Sequence, residues 1–288
     1  MDKRAQLARR LREPGLIVAP GVFELISARI ADAMGFDCLY ATGYGMVASH
    51  LGLPDAGLAT YTDMAARVRQ IAQATRTPLV ADADTGYGGL LNVQHTVRGY
   101  EAAGAAAIQL EDQQFPKKCG HMLGRKVVPA DEMAAKVRVA AESRSDRDFL
   151  IVARTDARTE HGLDEALRRG ERYLAAGADV LFIESPESLD EMRRIGETFK
   201  GVPLLANMVD GGRTPILERR ALEEAGYKIA IFPALGFLAA GAALEASYEH
   251  LRRTGSSLGN AAPLYDFARF SALMGFDEVA EFDRRHRG

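Results

Sequence analysis

GLDEALRRGERYLAAGADVLFIES, residues Gly162 to Ser185, decides the fold. Its first part is an amphipathic helix pattern. Leu163, Ala166, Leu167, Gly170 and Leu174 share one face, and Arg and Glu residues take the other. Gly177 follows the last turn, the usual place for a helix-ending glycine. The run VLFIE comes next, apolar until it ends in a carboxylate, as expected of a parallel strand buried on both faces. The same handover from helix through glycine to strand recurs in MGFDCLY, AAGAAAIQL and EAGYKIAIF.

Outward from this unit the chain contains eight such apolar segments: 16–23, 38–44, 79–85, 107–113, 149–157, 180–185, 204–208 and 229–234. Eight β/α units in one chain predict an α/β protein built as a (β/α)8 TIM barrel with extra C-terminal helices; the competing arrangement is a doubly wound open sheet. The expected barrel domain spans 1–250, with no interdomain linker. Residues 251–288, including LYDFARFSALMGFDEVAEFDRR, exceed what a minimal barrel needs. They are expected to form a C-terminal helical extension, either packed on a neighbouring subunit or laid across the barrel's end.

Composition narrows the partners. The chain has 288 residues, 47% hydrophobic and 26% charged, enough for a large core, and its net charge of -3 argues against nucleic acid or an anionic membrane as a bulk partner. No apolar run approaches the ~18 residues of a transmembrane helix. The start, MDKRAQLARRLREPG, is charged throughout and lacks a signal peptide's apolar stretch. Two distant cysteines, Cys38 and Cys119, make no disulfide framework, so a cytoplasmic protein with reduced thiols is expected.

Barrel active sites form at the C-terminal strand ends, which is where this chain places its polar clusters. Asp82 and Asp84 alternate at period two and point to one side of their strand. Glu111 and Asp112 end the next strand. As helix caps these carboxylates would need no cation. As a converging set they repel one another, and without a Cys/His cluster they suit a hard, oxygen-loving ion, Mg²⁺ with several waters retained, Mn²⁺ being the possible substitute. Arg154 is placed to clamp a carboxylate, or else to pair with a barrel carboxylate. Glu184 and Asn207 extend the polar ring.

FPKKCGHMLGRKVVP, Phe115 to Pro129, is the other unusual stretch. A Cys–His nucleophile pair or a zinc site could be read into it, but zinc usually needs more Cys/His ligands. Lys117, Lys118, His121 and Arg125 would favour a thiolate at Cys119. A buried structural role suits Cys38, inside CLYATGY, better than Cys119 among charges and glycine. Together the residues describe a metal-dependent enzyme acting on a small organic acid, with Cys119 as acid, base or nucleophile.

KKCGH, with ADADTGYGG and LEDQ before it and VARTDAR and ANMVDGG after it, resembles the isocitrate lyase/phosphoenolpyruvate mutase superfamily. The likeness runs in matching order from about Pro20 to Leu244, and KKCGH marks the carbon–carbon lyase branch. TGYGMVASHLGLPD and NMVDGGRTP are most similar to its 2-alkylmalate lyase group, with methylisocitrate lyases as near relatives. The resemblance implies a (β/α)8 barrel in a homotetramer, a dimer of dimers, with a C-terminal helix swapped between neighbours. It implies that Asp84 binds Mg²⁺ directly and that Asp82 and Glu111 act through its waters. Tyr40, Thr42, Gly43 and Tyr44 would line the substrate's carboxylate and carbonyl end, and Asp55 the metal's outer shell. Arg154, Glu184 and Asn207 would complete the pocket. Lys117, Cys119, Gly120 and His121 would form a gating loop.

The implied reaction is a retro-Claisen-type cleavage of a 2-hydroxy diacid to a 2-keto acid and a carboxylate. Tyr40 is the proposed base, and Cys119 protonates the leaving enolate. Methylisocitrate lyases generally carry an arginine shortly after strand eight, where FPALGFLAAG offers Phe237 and Leu238, and they tend to read SGGG where this chain has TGYG. Oxaloacetate hydrolysers usually place a serine where this chain has Pro233. The expected substrate is therefore a di- or tricarboxylate, with a 2-alkylmalate such as 2,3-dimethylmalate favoured over 2-methylisocitrate. Oxaloacetate hydrolysis or decarboxylation at the same site is the second enzyme reading, and a non-catalytic acid-binding barrel is the third.

Overall fold

A computed structural model describes residues 2–120 and 122–287 of the chain. Each apolar segment contains one strand: β1 Ile17–Val22, β2 Leu39–Ala41, β3 Leu79–Asp82, β4 Ala107–Glu111, β5 Leu150–Thr155, β6 Val180–Ile183, β7 Leu205–Asn207 and β8 Ile229–Phe232. Every neighbouring pair is parallel. The order runs from β6 back to β1 and on through β8 to β7. The end strands meet at one bridge, Leu181 to Leu204, where the Leu181 N–H donates to the Pro203 carbonyl at 3.0 Å. The sheet thus closes on itself as a (β/α)8 barrel. A doubly wound sheet would leave those edges apart.

Period-two alternation sorts the strand residues into two packed layers. Ile17, Ala19, Cys38, Tyr40, Val80, Val152, Phe182 and Ile231 pack inside the barrel. Leu39, Leu79, Ile108, Ile151 and Leu181 face outward into the larger core beneath the helices. Stepping on by two from the inner set reaches Asp82, Arg154, Glu184, Asn207 and Pro233 at the C-terminal strand ends. The alternation that fills the barrel with apolar side chains therefore turns its last layer polar and directs it inward.

The charged N-terminal stretch forms a helix, Lys3–Arg12, whose Leu7 and Ala8 join the barrel-interior cluster. Burial of Leu7 stabilises by roughly 1.5–3 kcal/mol, and Arg9, Arg10 and Arg12 fall in the last turn, where the helix dipole favours cations.

The chain divides into two compact units, Met1–Leu235 and Gly236–Gly288. The helix Leu235–Thr254 begins at this boundary, and Phe267–Leu273 and Phe276–His286 follow it. None of these three helices has a buried residue. Leu244, Tyr248 and Leu251, spaced along one helical face, are 50%, 63% and 47% exposed. Among the described residues no helix is long and apolar enough to cross a membrane.

Candidate active site

The inward layer at the strand ends is a connected polar network. The Tyr40 hydroxyl donates to Gln109 Oε1 at 2.9 Å, and Gln109 Nε2 donates to Asp82 Oδ1 at 3.3 Å. Arg154 donates twice to Asp156, through Nε and Nη2 at 2.9 Å each. Its Nη1 lies 3.4 Å from Glu111 and its Nη2 3.4 Å from Glu184, and the guanidinium sits 5.1 Å over the Phe182 ring. Asn207 Nδ2 donates to Glu184 Oε2 at 2.9 Å, joining β6 to β7 across the mouth.

Three loops close over this layer. Thr42 precedes the helix Gly43–Leu51, and a Cβ at Gly43 would lie 2.6 Å from Asp82 Oδ2, so only glycine lets that carboxylate approach the helix start. Tyr44 is 42% exposed. In ADADTGYGG, Asp84 takes a left-handed φ of 49° and Tyr87 one of 58°, uncommon values for residues with a Cβ. Lys117 is buried between Asp55 and Asp84, its Nζ 2.6 Å from Asp84 Oδ1 and paired with Asp55 Oδ1. A Cβ at Gly120 would lie 2.2 Å from Arg154 Nη2 and 2.9 Å from Glu184 Oε2, and the Gly120 carbonyl accepts from Ser185 Oγ at 3.1 Å. The loop backbone therefore rests directly on the guanidinium. Cys119, beside it, is partly exposed and belongs to no disulfide. His121 lies outside the described residues. Pro233 is buried just beyond β8, its carbonyl 2.4 Å from where a Cβ at Gly21 would be. Phe237 and Leu238 belong to the second unit.

Burial sets the electrostatics. It pushes the Asp82 carboxyl up to about 6, helped by Asp84 and opposed by Lys117 and Arg154. Burial also raises Glu111 well above the usual carboxylate range, despite Arg154. For Lys117 burial disfavours the charge, but Asp84, Asp55 and Glu111 outweigh it and hold the ammonium well above its ordinary value. Burial, then Asp82, drives the Tyr40 phenol well up, so in this resting site it is a donor; accepting a proton would need a cation to offset Asp82.

The site fits a hard cation. Glu111 Oε1 is buried without a hydrogen-bond partner, and Asp84 Oδ1 meets the Lys117 ammonium without hydrogen-bond geometry. Buried carboxylates at Asp55, Asp82, Asp84, Glu111, Asp156 and Glu184 outnumber the buried cations Lys117, Arg125 and Arg154. Among the described residues no three His, Cys, Asp or Glu side chains converge as a ready-made cage. An ion that takes one or two carboxylates and keeps its waters, as Mg²⁺ does, suits that arrangement.

The description "phosphoenolpyruvate phosphomutase" belongs to a family model that matches residues 7–252. The chain is 47% identical to the 2,3-dimethylmalate lyase of Eubacterium barkeri, over 99% of each chain. It is 42% identical to the 2-methylisocitrate lyase of Aeropyrum pernix, over 93% of this chain and 86% of that one. A solved oxaloacetate acetylhydrolase in complex with 3,3-difluorooxalacetate superposes with a TM-score of 0.94 at 34% identity, covering 100% of this chain and 98% of that one. The chain belongs to the isocitrate lyase/phosphoenolpyruvate mutase superfamily. It is a carbon–carbon lyase of that superfamily.

For a superfamily barrel, some neighbours of the expected residues have other tasks. Asp112 falls on the outward phase of β4, where its carboxylate accepts from Thr155 Oγ1 and Tyr173 Oη at 2.7 Å, the Asp156 N–H at 2.8 Å and Arg169 Nη1 at 3.0 Å. It fastens the barrel to the helix Leu163–Ala175 and takes no part in the pocket. Arg125 is tied to Asp156 and Thr159, and Lys118 is exposed with its ammonium on the Gly124 carbonyl at 3.2 Å. Thiolate stabilisation assigned to these two from proximity in sequence therefore gives way to structural pairing. Gln109 escaped the sequence reading, although its position two residues before Glu111 in an apolar run was a usable signal. Ser185, at a left-handed φ of 59°, carried none.

Proposed function

We propose that the protein is a Mg²⁺-dependent 2-alkylmalate lyase, cleaving a substrate such as 2,3-dimethylmalate into pyruvate and propionate. The observation that carries this reading is the contact of Gly120 with Arg154 and Glu184, which brings the thiol-bearing loop onto the pocket's guanidinium. Asp84 would hold the cation, with Asp82 and Glu111 around it. When bound, the ion supplies Lewis-acid stabilisation to the oxygens of the departing keto acid. Arg154 grips a substrate carboxylate, with Thr42, Gly43 and Tyr44 at the other end and Glu184 and Asn207 orienting the guanidinium side. The 2-hydroxyl loses its proton, Tyr40 being the proposed acceptor once a bound cation offsets Asp82 and the phenol has released its own proton to solvent. The C2–C3 bond then breaks: C2 becomes the ketone carbon and the electron pair leaves on C3 as a carboxylate-stabilised enolate. Cys119 delivers its thiol proton to C3. Lys117, neutralised by Asp55 and Asp84, anchors the loop while water is excluded.

A panel of 2-hydroxy diacids assayed by keto-acid release, with and without EDTA, tests the reading. Turnover of 2,3-dimethylmalate that vanishes with EDTA and returns with Mg²⁺ is expected. Cys119→Ser should lower kcat by about 10³-fold or more while pyruvate binding survives. A variant with wild-type turnover removes Cys119 from the role of acid. Preference for 2-methylisocitrate would move the substrate assignment to the tricarboxylates.

Oxaloacetate hydrolysis is the second reading, favoured by the close superposition on an oxaloacetate acetylhydrolase. Pro233, without a hydroxyl, weighs against it, and oxalate plus acetate from oxaloacetate would establish it. We also propose a homotetramer, a dimer of dimers with exchanged C-terminal helices, supported by the uncovered apolar face at Leu244, Tyr248 and Leu251.

A further inference from the structure

We propose that Gln113 is a positioning residue for the cysteine loop, a latch that sets where Lys117 and Cys119 lie. Gln113 is 2% exposed, and both ends of its carboxamide are engaged by one residue. Gln113 Oε1 accepts from the Lys118 N–H at 2.9 Å, and Gln113 Nε2 donates to the Lys118 carbonyl at 2.9 Å. One side chain thus fixes both backbone polar groups of the residue between Lys117 and Cys119. Lys118 points outward and is exposed, while Lys117 on one side of it is buried against Asp55 and Asp84. Two positions beyond Lys118, Gly120 rests on Arg154 and Glu184.

The latch itself stands on a rigid base. Gln113 forms an antiparallel bridge with Val127, the Gln114 N–H donates to the Lys126 carbonyl at 2.7 Å, and the Val128 N–H donates to the Asp112 carbonyl at 2.9 Å. The loop's two arms are therefore joined at the rim of the barrel, and the carboxamide reaches forward from that joint to the segment that bears the thiol. A carboxamide is the group this geometry needs, because it offers a donor and an acceptor side by side. Without it the Lys118 peptide groups turn to water and the loop loses its preference for the seated position.

This inference rests on the proposed role of the loop in covering substrate, but its test does not require turnover. The ligand-free protein is digested with trypsin, and cleavage after Lys117 or Lys118 is followed by mass. Gln113→Met keeps length and removes both hydrogen bonds; Gln113→Asn is too short to reach both groups and guards against a misfolded Met variant. Each should be cut at this loop about tenfold or more faster than wild type, with other tryptic sites unaffected. Gln114→Ala, altering an exposed side chain next door, should match wild type. With a substrate found, kcat should fall in the Gln113 variants at nearly unchanged Tm. Wild-type loop cleavage in both variants, or faster cleavage spread over the whole chain, overturns the latch. Slow loop cleavage in wild type without 2-alkylmalate turnover would sink the proposed substrate and leave the latch standing.

Discussion

Cys38 and Cys119 are one functional group in two settings. Cys38 is fully buried within the barrel, and burial pushes its thiol up to about 12. Cys119 is partly exposed beside the Arg154 contact. The buried thiol has a consequence for stability. Above an ordinary thiol value near 9, an unfolded chain loses the Cys38 proton while the folded chain keeps it. The folded state then binds more protons, so stability falls as pH rises, by up to about 1.4 kcal/mol per unit from this group. The contribution is fully present below pH 9 and is lost above it. Urea titrations from pH 8 to 10 should show a shallower decline for Cys38→Ala than for wild type, and equal slopes would remove Cys38 as the cause.

Asp112 shows what the alternation of a strand decides at the element scale. One position from Glu111, it faces the opposite way and holds β4, β5 and the helix Leu163–Ala175 together through Thr155, Asp156, Arg169 and Tyr173. Asp112→Ala should destabilise by about 3 kcal/mol, since it strips a buried guanidinium of one carboxylate; chemical denaturation measures it, and a change under 1 kcal/mol would contradict it. All eight strands were legible in the sequence, because a parallel barrel strand is an apolar run that ends in polar residues. So were Asp82, Glu111, Arg154, Glu184 and Asn207, which continue the inward phase. The helix Lys3–Arg12 was not, because its apolar contribution is a few residues hidden among arginines. The clamp of Gln113 on Lys118 was not either. A side chain that grips backbone five residues away leaves no periodic mark, and its meaning depends on the barrel rim that supports it.

At the scale of the whole molecule, the C-terminal helices carry no buried residue, while Leu244, Tyr248 and Leu251 present an apolar stripe. The proposed tetramer covers that stripe. Sedimentation should give a tetrameric mass for wild type and a smaller species for Leu244→Asp/Leu251→Asp; a monomeric wild type would refute the assembly. The barrel has its own uneven distribution of support. Seven of its junctions are continuous ladders, whereas β6 and β7 share one bridge. Breathing of the wall should start at this seam, and amide exchange should be fastest there. The Asn207–Glu184 hydrogen bond crosses the same seam at the mouth of the pocket. A ligand held by these two side chains would act as a rivet in the wall, coupling occupancy of the pocket to the stiffness of the whole cylinder.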